Sequence, residues 1–178
     1  MGNTLTQRKH APFRYDIVGS FLRPEALKSA REAFAKNEIS AAQLTEVEDA
    51  CIRNLVEKQL EAGLKSVTDG EFRRSYWHLD FMWGFDGIEH NVMDQGYIFH
   101  GEETRPDSAR VCGKIKFTHH PFIDHFKFLK EVVGDRALVK QTIPAPSQIF
   151  AELVRADNEE HLNRIYPNRE ELYTDLTQ

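Results

Sequence analysis

The sequence predicts an α/β fold, a partial (β/α)8 TIM barrel amounting to about the first half of one, and three observations carry that prediction. Short apolar runs alternate with amphipathic stretches of helical period, the pattern of a parallel sheet covered by helices. No Gly-x-Gly-x-x-Gly or Walker loop is present to favour an open nucleotide-binding sheet. Only about three βα units can be counted, against the eight strands and roughly 250 residues of a complete barrel. The 178 residues suit one core, so residues 1–178 are read as a single domain.

Along the chain, Arg14 to Val18 reads as a strand ending in Gly19-Ser20, and Pro24 then opens a helix running to about Lys36. Ser40 and Gln43 form a capping box before a second helix, whose expected apolar face is Leu44, Val47, Cys51 and Leu55. Gly63 is its expected left-handed stop, and Ser66-Val67-Thr68 a short strand running into Asp69-Gly70-Glu71. Tyr76 to Arg110 reads as a large loop over a site, with room for a hairpin around Val92 to His100. A strand at Val111 to Phe117, a helix carrying Phe122, Phe126, Leu129 and Val133, and a strand at Ala137 to Val139 follow. Asn168 and Glu171 make a second capping box, and the helix they open is expected to be unfinished at Gln178.

Composition narrows the partners. A net charge of -5, with acidic and basic residues interleaved, gives no footprint for nucleic acid or an anionic membrane. The polar N-terminus, with Arg8, Lys9 and His10, lacks the apolar core of a signal peptide, and no stretch is long enough to span a membrane. The two cysteines, Cys51 and Cys112, lie far apart and suggest no disulfide framework, so a cytoplasmic setting is expected.

Two strand ends hold the candidate chemistry, because ligands of parallel α/β folds gather where strands run out into loops. At Val18-Gly19-Ser20 and at Asp69-Gly70-Glu71, a glycine that lets backbone approach closely is followed by a hydroxyl or a carboxylate. Amide donors and the Ser20 hydroxyl suit the carboxylate of an amino acid, and Glu71 suits its ammonium. Turn chemistry accounts for both sequences on local pattern alone.

Three strings taken together go further: Asp16 to Pro24, Val67 to Arg74 followed by Trp77-His78 and Asp80-Phe81, and Lys140 to Ser147. In order and spacing they resemble the cobalamin-independent methionine synthase family, in particular its short bacterial members, over about Asp16 to Gln178. The resemblance implies a methyltransferase of methionine biosynthesis that moves a methyl group from a methyl-folate to the sulfur of homocysteine. It implies a zinc that holds the sulfur as thiolate, since a free thiol of pKa about 8.5 is mostly protonated at neutral pH. It implies that Val18, Gly19 and Ser20 hold the homocysteine carboxylate and that Glu71 pairs with the amino group. His78 and Asp80 point to one side if their segment is extended, so His78 is a candidate either for substrate contact or for a structural hydrogen bond at the loop base. Ile143 to Ser147 matches a loop near the folate side. The zinc ligands of the family, a His-x-Cys pair, a Glu and a final Cys, have no counterpart before Gln178, so this chain alone is expected to be truncated and to hold no metal.

Other residues are weighed against simpler roles. Cys51 and Cys112 are expected to be buried as small hydrophobes, and His119, His120 and His125 to lie at the surface rather than on a metal. Arg73 and Arg74 either attract a polyanionic folate tail or balance nearby acids, the latter favoured. Trp77, Phe81, Trp83 and Phe85 either wall a pterin-sized pocket or pack their own loop. Rival functions are another thiol alkyl transfer and a non-catalytic half-barrel subunit. Because half a barrel leaves unpaired strand edges, a homo-oligomer or pairing with a complementary half is expected.

Overall fold

A computed structural model describes residues 10–13, 15–96, 98–155 and 158–177. In chain order the elements are α1 (Glu25–Ala35), α2 (Ala41–Glu61), β1 (Ser66–Val67), α3 (Leu79–Met82), β2 (Asp86–Val92), β3 (Ile98–Phe99), β4 (Glu102–Glu103), β5 (Asp107–Lys116), α4 (Pro121–Val133), β6 (Leu138–Val139), α5 (Pro146–Leu153), α6 (Glu159–Ile165) and α7 (Arg169–Thr177). The result is a mixed α/β chain. It divides into two compact units, one of the residues up to Arg74 with Asp124–Thr142, the other of Ser75–Ile123 with Ile143–Gln178.

In the first unit β1 and β6 pair in parallel, Ser66 opposite Leu138 and Val67 opposite Val139. The Ser40 side chain accepts from the Gln43 N–H while the Gln43 side chain accepts from the Ser40 N–H, so the expected capping box starts α2. Gly63 follows the helix with φ 83. The buried stripe of α2 is Glu48, Ile52, Leu55, Val56 and Gln59, one position round from the predicted face; Leu44, Val47 and Cys51 are only half-buried. The rotation follows from Glu48 and Gln59, polar residues that hydrogen bonding carries into the interior. Leu27, Ile52, Val56, Val67, Phe72, Leu129 and Val133 form the core against which Val139 packs. In α4 Leu129 and Val133 are buried as expected, but Phe126 is 36% exposed and His125 half-buried, contrary to the predicted face.

The predicted first strand does not form: residues 15–18 belong to no strand, and Arg14 lies outside the described residues. Lys140 explains the alternative, since its ammonium bonds Asp16 Oδ1 at 2.7 Å and the carbonyl of Ile17, holding the segment through a side chain instead of a ladder.

In the second unit the expected loop from Tyr76 to Arg110 is largely regular. It holds α3, β2 and the β3–β4 hairpin, and β2 pairs antiparallel with β5. The predicted strand at Val111 to Phe117 is thus the end of a longer strand that closes a hairpin, not another parallel strand. Met82, Ala109, Val111, Leu153, Leu162, Tyr166 and Leu172 are fully buried around it. The Tyr166 hydroxyl accepts from the Ile115 N–H and donates to Asp175, each at 2.6 Å, tying β5 to α7. Burial together with the bond to Asp175 pushes its pKa up to about 12. The second capping box is not formed as predicted. Asn168 Oδ1 accepts from the Glu170 N–H at 2.9 Å, and the Glu171 carboxylate reaches Lys114 instead.

Candidate functional site

The site is built in the first unit, where the segment from Asp16 to Arg23, the loop after β1 and the segment after β6 meet. Gln59 sets the loop. Its side chain donates to the Thr68 carbonyl at 2.8 Å and accepts from the Thr68 N–H at 3.0 Å, imitating a strand partner for a residue that is 1% exposed. The Thr68 hydroxyl in turn donates to the Gly19 carbonyl at 2.7 Å and accepts from the Gly70 N–H at 3.1 Å. The Phe21 N–H bonds the Gly70 carbonyl at 3.1 Å, and Arg23 Nη2 donates to the carbonyls of Glu71 and Arg74 at 2.9 and 2.8 Å. The two segments singled out in the sequence are therefore joined by backbone, hydroxyl and guanidinium bonds.

Gly70 and Glu71 both take left-handed backbone, with φ 71 and φ 58. For glycine that is free; for a glutamate it costs of order 1 kcal/mol or more and persists only where neighbours enforce it. Asp69 enforces it here, its Oδ1 accepting the Glu71 N–H at 2.9 Å. Asp69 is 3% exposed, and burial raises its pKa, partly offset by that bond and by Arg74. The strained turn aims the Glu71 side chain at Thr142 and Arg74. Thr142 donates to Glu71 Oε1 at 2.7 Å, and Arg74 Nη1 lies 3.5 Å from the same oxygen. Both contacts fall on Oε1.

Gly19 closes the other side. A Cβ there would sit 2.7 Å from Thr142 Cγ2, 2.9 Å from its Oγ1 and 3.3 Å from Glu71 Oε1, so only glycine admits the Thr142–Glu71 pair. Gly19 is buried, whereas Ser20 is exposed and Val18 is 86% exposed. Of the sequence candidates, Gly19 and Glu71 come together, with Ser20 and Val18 flanking Gly19 toward solvent. His78 belongs to the second unit, at the start of α3, half-buried beside Trp77, with its Nδ1 enclosed and without a hydrogen-bond partner among the described residues. Burial lowers its pKa.

Thr142, Asp69, Thr68 and Arg23 form the rest of the site, and their roles were missed in the sequence. All four lie inside the singled-out strings, and the only signal for them was polar side chains clustered at strand ends. Arg73 is taken up by Glu48 at 3.0 Å and by Asp49, and Arg74 by Glu71, so both arginines balance acids.

Two expectations about other polar residues are corrected. His120 is not at the surface. It is 2% exposed among Phe81, Phe85, Phe117 and Phe122, with Nε2 on the Phe81 carbonyl at 2.8 Å and Nδ1 accepting the Phe122 N–H at 3.1 Å. Cys112 is not buried but exposed, because its position on β5 faces away from the core side occupied by Val111; Cys51 is half-buried. Among the described residues no group of three or more His, Cys, Asp or Glu side chains is placed to hold a metal ion, so the donors present do not fit a zinc site. No helix among them is long and apolar enough to cross a membrane.

Comparison with known proteins places the chain. It is 42% identical over 177 residues to the uncharacterized protein YxjH of Bacillus subtilis, covering 99% of this chain and 45% of that one. A crystal structure from Listeria monocytogenes, provisionally named a vitamin-B12 independent methionine synthase, superposes with a TM-score of 0.71 at 42% identity, over 93% of this chain and 45% of that one. The chain is homologous to the cobalamin-independent methionine synthases. A 5-methyltetrahydropteroyltriglutamate–homocysteine methyltransferase of Nitrosomonas europaea is also 31% identical over 105 residues, 53% of this chain and 14% of that one. The chain thus spans less than half the length of each of these relatives. No family model matches it.

Proposed function

We propose that this chain supplies the amino-acid-binding part of a methyltransferase of the methionine synthase type, with homocysteine as the acceptor and a methyl-folate as donor. In this reading the parallel β1–β6 pair, with α1, α2 and α4, is the opening of a (β/α)8 barrel. The single observation that carries the proposal is the Glu71 carboxylate, held by Thr142 and Arg74 through one oxygen in a turn that places it against Gly19. A substrate ammonium would bond Glu71 Oε2, while the substrate carboxylate would lie toward the exposed Ser20 hydroxyl.

Charge supports an amino acid over a simple amine. Around the turn, Arg31 and Arg73 pair with Glu48 and Asp49 and Arg74 with Glu71, while Arg23 donates to the backbone carbonyls of Glu71 and Arg74 and the Asp69 carboxylate brings the acids to the same number as the arginines. A zwitterion enters such a balanced cluster without adding net charge, whereas a lone cation or anion would leave one charge uncompensated in a largely buried setting. Zinc, expected for the family, finds no donor set among the described residues, so no step is routed through it.

Calorimetry on the full chain tests the proposal. Glu71→Gln should weaken homocysteine by about tenfold or more, the effect of losing a charge-assisted hydrogen bond, and leave 4-mercaptobutyrate unchanged. Equal effects on the two thiols would refute the assignment of Glu71 to the ammonium.

A further inference from the structure

We infer that this chain recognises the head group of an α-amino acid without regard to its sulfur, as a metal-independent receptor for a zwitterion. The inference rests on the reading of Glu71 given above and goes beyond it in denying the sulfur any share of the affinity.

The argument concerns where the possible sulfur-holding groups are. A catalytic zinc needs about three protein ligands converging on one point with a fourth position open. Of the two thiols, Cys51 lies half-buried on α2 next to Glu48. Glu48 itself is already bonded by Arg73 and Arg31. Among the described residues no three His, Cys, Asp or Glu side chains, Cys112 included, are grouped to hold a metal ion. Both ring nitrogens of His120 are used internally, and His90 is bound to Asp107 at 2.6 Å. Of the carboxylates nearest the proposed ligand, Asp69 is committed to the turn, and Glu71 is held by Thr142 and Arg74 through Oε1, with Oε2 assigned to the ammonium. Among the described residues, then, no donor set distinguishes a thiol from a thioether or a methylene.

The groups that the described residues place at the site, the Glu71 carboxylate and the Ser20 hydroxyl, read the two charged groups common to every α-amino acid. Side chains of homocysteine, methionine and norleucine differ in polarity and length, but the apolar residues flanking Gly19 and Phe21 in this unit, Val18 and Leu22, are 86% and 97% exposed and so enclose none of them. Discrimination between the three should be weak.

Titration calorimetry of the full chain with the three amino acids, each with and without one equivalent of zinc, decides the matter, with the metal alone measured in parallel. Support consists of dissociation constants within about fivefold of one another and changed by less than about fivefold on adding zinc. A gain of about fivefold or more for homocysteine alone when zinc is present would overturn the inference while leaving the proposed role of Glu71 intact. Stoichiometric zinc retained after dialysis, and lost in the Cys51→Ser/Cys112→Ser chain, would also overturn it. Failure of all three amino acids to bind would refute the proposed function, and this inference with it.

Discussion

The hydroxyl of Thr142 donates to Glu71 Oε1 at 2.7 Å, across 71 positions of sequence, and it orients the carboxylate on which the proposed site depends. The bond has an ionised acceptor in a partly buried setting, a class worth about 1.5–3 kcal/mol. Thr142→Val keeps the shape and removes the donor. It should weaken amino acid binding about tenfold or more by calorimetry, while Thr142→Ser should stay within about threefold of the parent. Loss of affinity in both variants alike would show that the methyl group, not the hydroxyl, matters.

Gly19 makes the companion prediction. An alanine Cβ would lie 2.7 and 2.9 Å from the Thr142 side chain, closer than atoms tolerate, and Thr142 cannot rotate away without releasing Glu71. Gly19→Ala should therefore reduce binding about as strongly as Thr142→Val while the fold survives, as judged by an unchanged far-ultraviolet spectrum. Adding Thr142→Ala should restore the melting temperature by removing the clash, but not the affinity. Full affinity in Gly19→Ala would show that the close approach is not part of the site.

How much of this could be read from the chain itself depends on the range of the interaction. The capping box of Ser40 and Gln43 and the Gly63 stop are local, settled within a few residues, and both stand as predicted. The pairing of β5 with β2 is not local: Asp107 to Lys116 looks like any half-buried strand, and nothing in it specifies an antiparallel partner two short strands upstream. His120 was misjudged for the same reason, since its polar neighbour His119 is close in sequence while the rings of Phe81 and Phe85 that bury it are distant. At the site, Gly19 and Glu71 stood out because glycine next to a polar group is a visible pattern. Thr142 had no such mark, and only the fold brings it onto Glu71.

His120 gives a pH prediction with a definite sign. Burial lowers its pKa below the ordinary value, and protonation would turn Nδ1 from acceptor to donor against the Phe122 N–H. The native state thus binds fewer protons at this site than the unfolded chain, in which the ring titrates near pH 6.5. Its contribution to stability is complete above about pH 6.5 and is lost as the pH falls from there toward the depressed native value. Urea unfolding at about pH 7.5 and about pH 5.5 should show a larger drop in stability for the parent than for His120→Gln, the buried carboxylates being common to both. The same drop in both chains would remove His120 as its cause.

Gln59 joins stability to the site. Its amide satisfies both backbone groups of Thr68, and Thr68 carries the Gly19 carbonyl and the Gly70 N–H on one hydroxyl, so the whole turn hangs from one buried side chain that is 3% exposed. Gln59→Leu preserves volume but leaves a donor and an acceptor unpaired away from water, at about 1–3 kcal/mol each. The expected loss is about 2–4 kcal/mol in urea unfolding, because the turn relaxes in part and recovers some solvation. Amino acid affinity measured below the melting transition should fall as well, since Gly19 and Glu71 lose their common support. A loss of stability with undiminished affinity would mean that the two strand ends keep their geometry without the clamp, and that Thr142 alone suffices to hold Glu71.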